Sequence, residues 1–299
     1  MTLQPRVVQV YRRSEYDELL VRHSTRQQAE FFLQSRGRTI EELADPHARI
    51  GRARELAGAA IPPRWRRAEV ERGDLYHFRF APDDLVLVVG QDGVVANTAK
   101  YLDGQPVIGI NPEPAHNPGV LVPHAPEAAA DLLRAAAAGR ASIEHRTMVG
   151  ATTDDGQRLR ALNEIYLGHR SHQSARYRLE SPDGGQEHHS SSGLLAGTGT
   201  GATGWLRSAW QERASRLALP APDSPELCWF AREAWPSLTT GTELTEGLIV
   251  AGATLRVQAE SDELVCFGDG IESDALRIGW GQTVTIAAAR QALNLVVGR

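Results

Sequence analysis

Two short apolar runs separated by a helical pattern constrain the fold of this chain most strongly. Leu85–Val89 and Pro106–Ile110 are stretches of strand length, and Val94–Leu102 between them has helical spacing. Strands that are apolar throughout are typical of parallel sheets covered by helices on both faces. The order strand, helix, strand therefore predicts an α/β domain, which we place at residues 1–141. Its outer predicted elements are strands Val7–Tyr11 and Arg67–Val70, a helix capped by Ser24 or Thr25 that runs to about Arg36, and a helix over Glu127–Ala138.

The rest of the chain has a different pattern, with strand-like segments in close succession. Together with the turn sequence Asp183-Gly-Gly185, they predict a β-rich second domain at residues 142–285. One amphipathic helix beginning at Trp205 interrupts the strands, and residues 286–299 are expected to return to the first domain. The predicted strands are Glu144–Met148, Arg158–Leu167, Ala175–Ser181, Leu194–Ala196, Gly247–Ala251, Thr254–Ala259 and Val265–Phe267.

The charge of the chain limits its partners. A net charge of −5 and an isoelectric point near 6.1 disfavour nucleic acid, whose binding needs a basic face. Lys100 is the only lysine, so the sequence lacks a Walker-type phosphate loop, whose signature ends in Gly-Lys-Ser/Thr. Any phosphate group would have to be bound by arginine, by backbone N–H groups or by a metal ion.

Cysteine use and hydropathy indicate the compartment. Cys228 and Cys266 are the only cysteines and lack the Cys-x-x-Cys spacing, which favours two ordinary, part-buried thiols in a reducing environment. No apolar run approaches the roughly 18 residues of a membrane span, and the N-terminus has no apolar signal-peptide core. We therefore expect a cytoplasmic protein with no membrane partner.

The segment Gly197–Gly204 carries the strongest indication of a ligand. Four glycines alternate with small residues, three of them threonines, between an apolar run and the helical pattern that starts at Trp205. Glycines allow a backbone to approach a ligand closely, and threonine hydroxyls and free N–H groups can bind sugar or phosphate oxygens. The segment therefore predicts a nucleotide site.

Two further polar positions follow or interrupt apolar segments. Asp92 lies between Gly90 and Gly93, directly after the strand Leu85–Val89, where α/β sheets place their ligands. A plain strand-to-helix turn is the alternative, because Asp-Gly is a common turn dipeptide. Asn163 and Glu164 interrupt an apolar segment and, in a strand, point to opposite faces, so that one faces a cleft and the other is solvated; the alternative is a strand end with both residues exposed.

Other motifs are less consistent with a site. Gly199-x-Gly-x-x-Gly204 matches the dinucleotide fingerprint, but the β-rich context does not suit a Rossmann unit. The histidines lie in polar stretches without a carboxylate or cysteine at ligand spacing, which predicts solvated side chains; they are His169, His172, His188 and His189. Ser190–Ser192 has no histidine and aspartate partners that the sequence can establish, which disfavours a serine hydrolase.

Four of these motifs occur in the order found in one protein family. Gly90-Gln-Asp-Gly93 and the strand after it resemble the Gly-Gly-Asp-Gly loop and next strand of the NAD kinases. Ala161-Leu-Asn-Glu164 is similar to their Asn-Glu motif. Ser191–Gly193 and Thr198–Trp205 resemble the Thr-Gly-Thr-Gly form of a later motif, which is typical of the mitochondrial type. Arg232-Glu233 and Asp269-Gly270 follow in the expected order, so the resemblance covers roughly residues 80 to 290.

The resemblance implies an α/β N-terminal domain plus an all-β C-terminal domain, with the active site in the interdomain cleft. Asp92 would be the general base that takes the proton from the adenosine-ribose 2′-hydroxyl of NAD, the substrate, as this oxygen attacks the γ-phosphate of ATP. Mg²⁺ would accompany ATP, with no side chain assigned as a metal ligand. Family members commonly form dimers or tetramers, which implies a homo-oligomer and favours a dimer.

The family motifs also assign binding residues by position. The implied contacts are Gly90, Gln91 and Gly93 in the phosphate loop; Asn163 and Glu164 for ribose and adenine; Thr198, Thr200, Gly201, Thr203 and Gly204 for the dinucleotide; and Trp205 and Ser208 near the nicotinamide end.

The chain departs from the family pattern at three positions. Gln91 replaces the second glycine of the loop, and would add about 1–2 kcal/mol of strain if that position has a positive φ. Val94 replaces a threonine and removes one hydroxyl, and Ser192 stands where bacterial and cytosolic members have aspartate. The alternatives are a non-catalytic NAD(P)-binding homologue, or a kinase of another nucleotide or of a lipid, since diacylglycerol and sphingosine kinases share a related loop.

Overall fold

In the computed structural model, which describes residues 4–298, the apolar runs form the middle of a parallel sheet. This sheet belongs to one of two compact units, Met1–Glu144 with Asn294–Arg299. Its strands are β1 (Arg6–Tyr11), β2 (Arg66–Glu71), β3 (Leu85–Val89) and β4 (Pro106–Ile110). They are ordered β2-β1-β3-β4 with parallel neighbours, and Asn294 and Leu295 near the C-terminus pair in parallel with β4.

Five helices accompany this sheet in the described part of the unit. They are α1 (Glu15–His23), α2 (Arg26–Gln34), α3 (Glu41–Ala59), α4 (Asp92–Ala99) and α5 (Ala129–Ala137), with short 3-10 helices at Arg72–His77 and Pro126–Ala128. The Thr25 side chain accepts a hydrogen bond from the Gln28 N–H and caps α2, as predicted. Every residue of β3 is buried, because α3 and α5 pack with it in one apolar core.

The second unit, His145–Leu293, consists mainly of antiparallel strands. They are β5 (Ser142–Thr153), β6 (Arg158–Ala161), β7 (Glu164–His169), β8 (Ala175–Glu180), β9 (Gln186–Ser191), β10 (Leu194–Gly197), β11 (Leu227–Ala231), β12 (Glu246–Ile249), β13 (Leu255–Ala259), β14 (Leu264–Gly268), β15 (Ile271–Ile278) and β16 (Thr283–Gly298), with helix α6 at Trp205–Glu212. The first residues of β5 and the last of β16 belong to the first unit.

Within the second unit the strands form two packed antiparallel layers. One layer has the order β16-β13-β8-β9, and the other has the order β12-β11-β10-β7-β14-β15. Their facing side chains form a single core that contains Tyr177 and Leu179 from the first layer and Ile165 and Trp229 from the second. Helix α6 packs on the outer face of the second layer through Leu206 and Ala209. The α/β plus β class predicted from the sequence is confirmed.

Several local predictions need correction. The predicted strand Arg158–Leu167 is two strands, because the chain turns at Leu162 and Asn163, whose N–H groups both donate to the Asp269 carboxylate. Strands β9, β11, β15 and β16 were not predicted. The expectation of part-buried thiols is also wrong, since Cys228 and Cys266 are fully buried.

Across residues 4–298, every helix is too short or too polar to cross a bilayer.

Candidate functional site

The loop Gly90–Gly93 joins β3 to α4, and its strained position is Gly90 rather than Gln91. Gly90 has a φ of +158°, and a Cβ there would lie 3.1 Å from the Val94 side chain. Gln91 has a φ of −97° and a ψ of 167°, an extended conformation that any residue adopts, and its side chain is exposed. Because its φ is negative, Gln91 is not strained. Val94 is buried.

Asp92 is the first residue of α4, and a neighbouring loop holds its carboxylate. Oδ2 accepts the Val120 N–H at 2.9 Å, while Oδ1 accepts the N–H groups of Leu121 at 2.8 Å and Val122 at 3.2 Å. A carboxylate has about four lone-pair positions, so three backbone donors leave room for about one more. The position at a helix N-terminus also favours negative charge. The group is thus oriented and retains capacity to accept one proton.

In the second unit, Asp269 organises the turn that carries the polar pair. Its carboxylate accepts the N–H of Leu162 at 2.8 Å and of Asn163 at 2.7 Å, and its own N–H donates to the Glu164 carbonyl at 3.1 Å. Asp269 has a positive φ of 53°, a conformation that aspartate tolerates better than most residues. This arrangement fixes Asn163 and Glu164 beside β10.

Glu164 is the least satisfied ionisable group of this turn. Its side chain is 9% exposed and makes no hydrogen bond with any residue of 4–298. Burial, with a smaller contribution from the Asp269 carboxylate, raises the pKa of Glu164 to about 8. At neutral pH the side chain is therefore mainly a neutral acid, which can both donate and accept a hydrogen bond. The expectation of an exposed strand end is wrong for Glu164.

The threonines of the Gly197–Gly204 loop differ in their environment. The Thr198 hydroxyl is fully buried; it donates to the Leu162 carbonyl at 2.6 Å and accepts the N–H groups of Thr200 at 3.1 Å and Gly201 at 3.3 Å. The Thr200 Oγ1 is also buried, but it has no hydrogen-bond partner within the described chain. Thr203 is exposed, and its hydroxyl donates to the Thr200 carbonyl. Thr198 therefore shapes the loop, whereas the Thr200 hydroxyl is left to bind something else.

Close packing accounts for three of the loop glycines: a Cβ on Gly197 would lie 2.3 Å from the Asn163 carbonyl oxygen. A Cβ on Gly199 would lie 2.2 Å from the Ala221 carbonyl oxygen, and one on Gly201 would lie 2.4 Å from the Asn163 carbonyl oxygen. Gly204, by contrast, is exposed, and a Cβ there would make only an ordinary contact, 3.8 Å from the Gly201 carbonyl oxygen. The glycine pattern thus follows mainly from how the loop packs on its own unit.

Trp205 and Ser208 lie on α6 immediately after this loop. Trp205 stacks on Tyr166, with ring centroids 5.6 Å apart and planes 18° apart, and the Arg232 guanidinium lies 5.3 Å from the Trp205 ring. Ser208 is exposed. Tyr166 and Arg232 were not predicted as site residues. Tyr166 could have been recognised by its spacing, because it lies two residues after Glu164 on β7 and so points to the same face of the strand.

The histidine prediction was wrong at one position. His189 is fully buried and contacts Glu187 and Tyr177, whereas His188 is exposed beside Glu260. Within residues 4–298, no group of three or more His, Cys, Asp or Glu side chains is arranged to hold a metal ion.

No protein-family model matches the sequence, and no curated protein matches it either. Solved structures, by contrast, are similar to this chain. The structure of yeast NADH kinase complexed with NADH aligns with a TM-score of 0.61 at 15% identity, covering 100% of this chain and 85% of the other. An NAD kinase from Archaeoglobus fulgidus in complex with ATP aligns with a TM-score of 0.58 at 16% identity, covering 98% and 94%. The chain has the fold of NAD kinases.

With that fold established, the sequence motifs can be placed on it. The NAD kinase fold of this chain carries Asp92 and its loop in the first unit. Asn163, Glu164, the Gly197–Gly204 loop and Trp205 are brought together in the second unit around strands β7 and β10.

Proposed function

We propose that this protein is an NAD kinase that transfers the γ-phosphate of ATP to the adenosine-ribose 2′-hydroxyl of NAD. The observation that carries the proposal is the buried Thr200 hydroxyl, which has no hydrogen-bond partner within residues 4–298, close to the largely buried Glu164 carboxyl on β7. A buried polar group without a partner requires an explanation, and a ligand atom that completes its hydrogen bonds is one. A ribose offers hydroxyl groups of the required kind. The full-length likeness to NAD(H) kinases supports this choice of ligand.

In this proposal the second unit binds the dinucleotide. Asn163 and Glu164 contact ribose and adenine, and Glu164 as a neutral acid can donate to one oxygen or nitrogen and accept from another. The Thr200 and Thr203 hydroxyls contact the phosphate and ribose groups, Gly201 and Gly204 let the ligand approach the loop backbone, and Thr198 holds the loop in shape. Trp205 and Ser208 lie near the nicotinamide end.

Asp92 acts as the general base of the transfer. Its carboxylate accepts the proton of the 2′-hydroxyl while that oxygen bonds to the γ-phosphorus, and the bond from the γ-phosphorus to the β,γ-bridging oxygen breaks to release ADP. The three backbone donors on Asp92 fix its orientation and leave it room to accept this proton. The result is NADP, with the proton on Asp92.

The phosphate chain enters as the magnesium complex of ATP. Magnesium is commonly bound through substrate phosphates and waters rather than by a dedicated cage of protein ligands. The single lysine, Lys100, is only 6% exposed. The proposal therefore assigns the phosphate contacts to arginine and to the N–H groups of the Gly90–Gly93 loop, with Gln91 exposed beside them.

The finer parts of the proposal rest on the motifs. The Thr-Gly-Thr-Gly form and Ser192 support a mitochondrial-type member of the family. We further propose a cytoplasmic homodimer, supported by the reduced cysteines and by the oligomers common in the family. Sedimentation of the purified protein measures the oligomeric state directly.

One observation favours a second function, a dinucleotide-binding protein without catalysis. The N–H groups of residues 120–122 use three of the four acceptor positions of Asp92. In this second function the carboxylate holds that loop in place and does not act as a base. In that case NAD or NADP raises the melting temperature, but no product forms.

A product assay separates these functions. The protein is incubated with Mg²⁺, a phosphoryl donor (ATP or polyphosphate) and an acceptor (NAD, NADH or a diacylglycerol vesicle), and the products are identified by mass. The proposal expects NADP or NADPH. Stabilisation by NAD without product supports the binding protein, and a phosphorylated lipid as the sole product contradicts both.

A further inference from the structure

A row of polar side chains lies inside the apolar core of the second unit, on the inner face of β8 and β9. We call Glu187, His189, Tyr177 and Ser191 the buried polar chain. Glu187, His189 and Ser191 alternate along one face of β9, and Tyr177 on β8 is directly opposite His189. His189 and Tyr177 are 0% exposed and Ser191 is 2% exposed.

The buried polar chain is continuous. His189 Nε2 lies 2.7 Å from Glu187 Oε2, His189 Nδ1 lies 3.2 Å from Tyr177 Oη, and Tyr177 Oη lies 2.9 Å from Ser191 Oγ. The carboxylate can only accept, so Nε2 donates to it. A neutral ring then accepts the Tyr177 hydroxyl proton at Nδ1, and the Tyr177 oxygen accepts from Ser191. Every member is satisfied, and such a network is rigid because each bond orients the next.

One end of the buried polar chain secures a loop. Glu187 accepts the N–H groups of Glu243 at 3.1 Å and Leu244 at 2.8 Å. Burial would raise the pKa of Glu187, but the N–H groups of Leu244 and Glu243 and the His189 ring outweigh it and hold that pKa below its ordinary value. Glu187 also occupies the space where Gly241 would carry a side chain. This end is therefore fixed to the backbone.

The other end of the buried polar chain holds the turn Ser191–Gly193. Ser191 Oγ accepts the Gly193 N–H at 3.0 Å. Gly193 has a φ of +109°, and a Cβ there would lie 2.6 Å from the Leu167 carbonyl oxygen, so the turn admits only glycine at this point. The geometry of this turn thus depends on where the Ser191 hydroxyl is held.

The turn Ser191–Gly193 supports the residues around Trp205. The Ser192 N–H donates to the Arg232 carbonyl at 2.9 Å, and the Arg232 N–H donates to the Gly193 carbonyl at 2.7 Å. The Tyr166 hydroxyl donates to the Ser192 carbonyl at 2.8 Å. The side chains of Tyr166 and Arg232 both contact the Trp205 ring. A displaced turn would therefore move both.

We propose that the buried polar chain is a positioning device that sets the turn Ser191–Gly193 and, through Tyr166 and Arg232, the dinucleotide affinity of the Trp205 region. This inference rests on the proposed function for its affinity readout alone. The residues of the buried polar chain act through other residues and do not contact the reacting atoms. The device explains why β9 carries polar side chains on a core face where apolar ones are usual.

The test uses Tyr177→Phe and Ser191→Ala, each of which removes one hydroxyl from the full-length protein, with the double variant and Ser190→Ala as control. Ser190 lies on the same strand, with its side chain on the opposite face. Hydrogen exchange is measured at Ser192, Gly193 and Arg232, and steady-state kinetics give KM and kcat for NAD. We expect faster exchange at these three amides, KM for NAD raised about fivefold and kcat nearly unchanged.

The double variant gives the sharpest outcome. Because Tyr177 acts on the turn through Ser191, the effect of the double variant on KM should equal that of Ser191→Ala alone rather than the product of the two single effects. Unchanged exchange at the turn, or multiplicative effects on KM, would overturn the positioning role. If the wild-type protein phosphorylates no dinucleotide, the proposed function fails, and the exchange comparison alone decides whether the buried polar chain sets the turn.

Discussion

The backbone N–H of Asn163 donates a 2.7 Å hydrogen bond to the Asp269 carboxylate, 106 residues further along the chain. This bond ends β6, starts β7 and brings a second carboxyl group to the buried Glu164. A buried carboxyl next to a charged one costs stability unless it is protonated or a ligand satisfies it. The same contact thus creates both the turn and the unsatisfied acid on which the proposed function depends.

Glu164 should make the stability of the free protein depend on pH. Its pKa rises from 4.5 in the unfolded chain to about 8 in the folded protein, so between these values the folded state binds one more proton. Stability should therefore fall as pH rises through this window, by about 1.4 kcal/mol per pH unit from this group. Glu164→Gln should remove that slope, as measured by urea unfolding from pH 5 to pH 7.5.

The control for this slope is Glu212→Gln, which changes an exposed carboxyl of the same unit. For this variant, the curve of unfolding free energy against pH should be parallel to that of the wild type. A wild-type curve parallel to that of Glu164→Gln would contradict the assignment of a raised pKa.

Two threonines of one loop should respond oppositely to loss of the hydroxyl. Thr198→Val leaves two N–H groups and a carbonyl without their partner and should destabilise the protein by about 1–3 kcal/mol. Thr200→Val removes a hydroxyl that has no partner in the described chain, so the free protein should be as stable as the wild type or more so. Binding of NAD should nevertheless weaken. Thermal melts with and without NAD measure both effects.

The threonine pair tests the division of the loop into shaping and binding groups. A Thr200→Val variant that loses stability but keeps its NAD affinity would contradict that division. The two variants serve as each other's control, since they make the same chemical change two residues apart.

The loop before α4 should tolerate a change at Gln91 better than one at Gly90. Gly90→Ala places a side chain at a positive φ and 3.1 Å from Val94, and should cost about 1–2 kcal/mol. Gln91→Gly relieves no strain and should cost about 0.5–1 kcal/mol through added backbone freedom. Denaturant titration measures both; a stabilising Gln91→Gly would show that position 91 is strained.

The sequence predicted the fold best where one physical signal dominates. The run Leu85–Val89 is apolar throughout, and only a strand buried on both faces suits it. Strand β9 was missed because its residues, Gln186–Ser191, are all polar, including those that face the core. The buried His189 on that face is hydrogen-bonded to Tyr177 on another strand, and no local sequence pattern indicates this contact.

The candidate site was predictable as a set of motifs but not as an arrangement. The turn at Asn163 depends on Asp269, a contact distant in sequence. Periodicity alone made Arg158–Leu167 one strand. The glycines of the Gly197–Gly204 loop were assigned to ligand approach, whereas Gly197, Gly199 and Gly201 are required by packing within the unit. Sequence identifies the residue types; the long-range contacts decide which of them remain free to bind.

The most direct test of the account is a single-turnover measurement of Asp92. Wild-type protein, Asp92→Asn and the control Asp83→Asn, an exposed carboxylate just before β3, are mixed with NAD and ATP labelled in the γ-phosphate. The account predicts label in the 2′-phosphate of NADP for the wild type and the control. Asp92→Asn should transfer it about 10²–10⁴-fold more slowly while still binding NAD. Transfer by Asp92→Asn at the wild-type rate would contradict it.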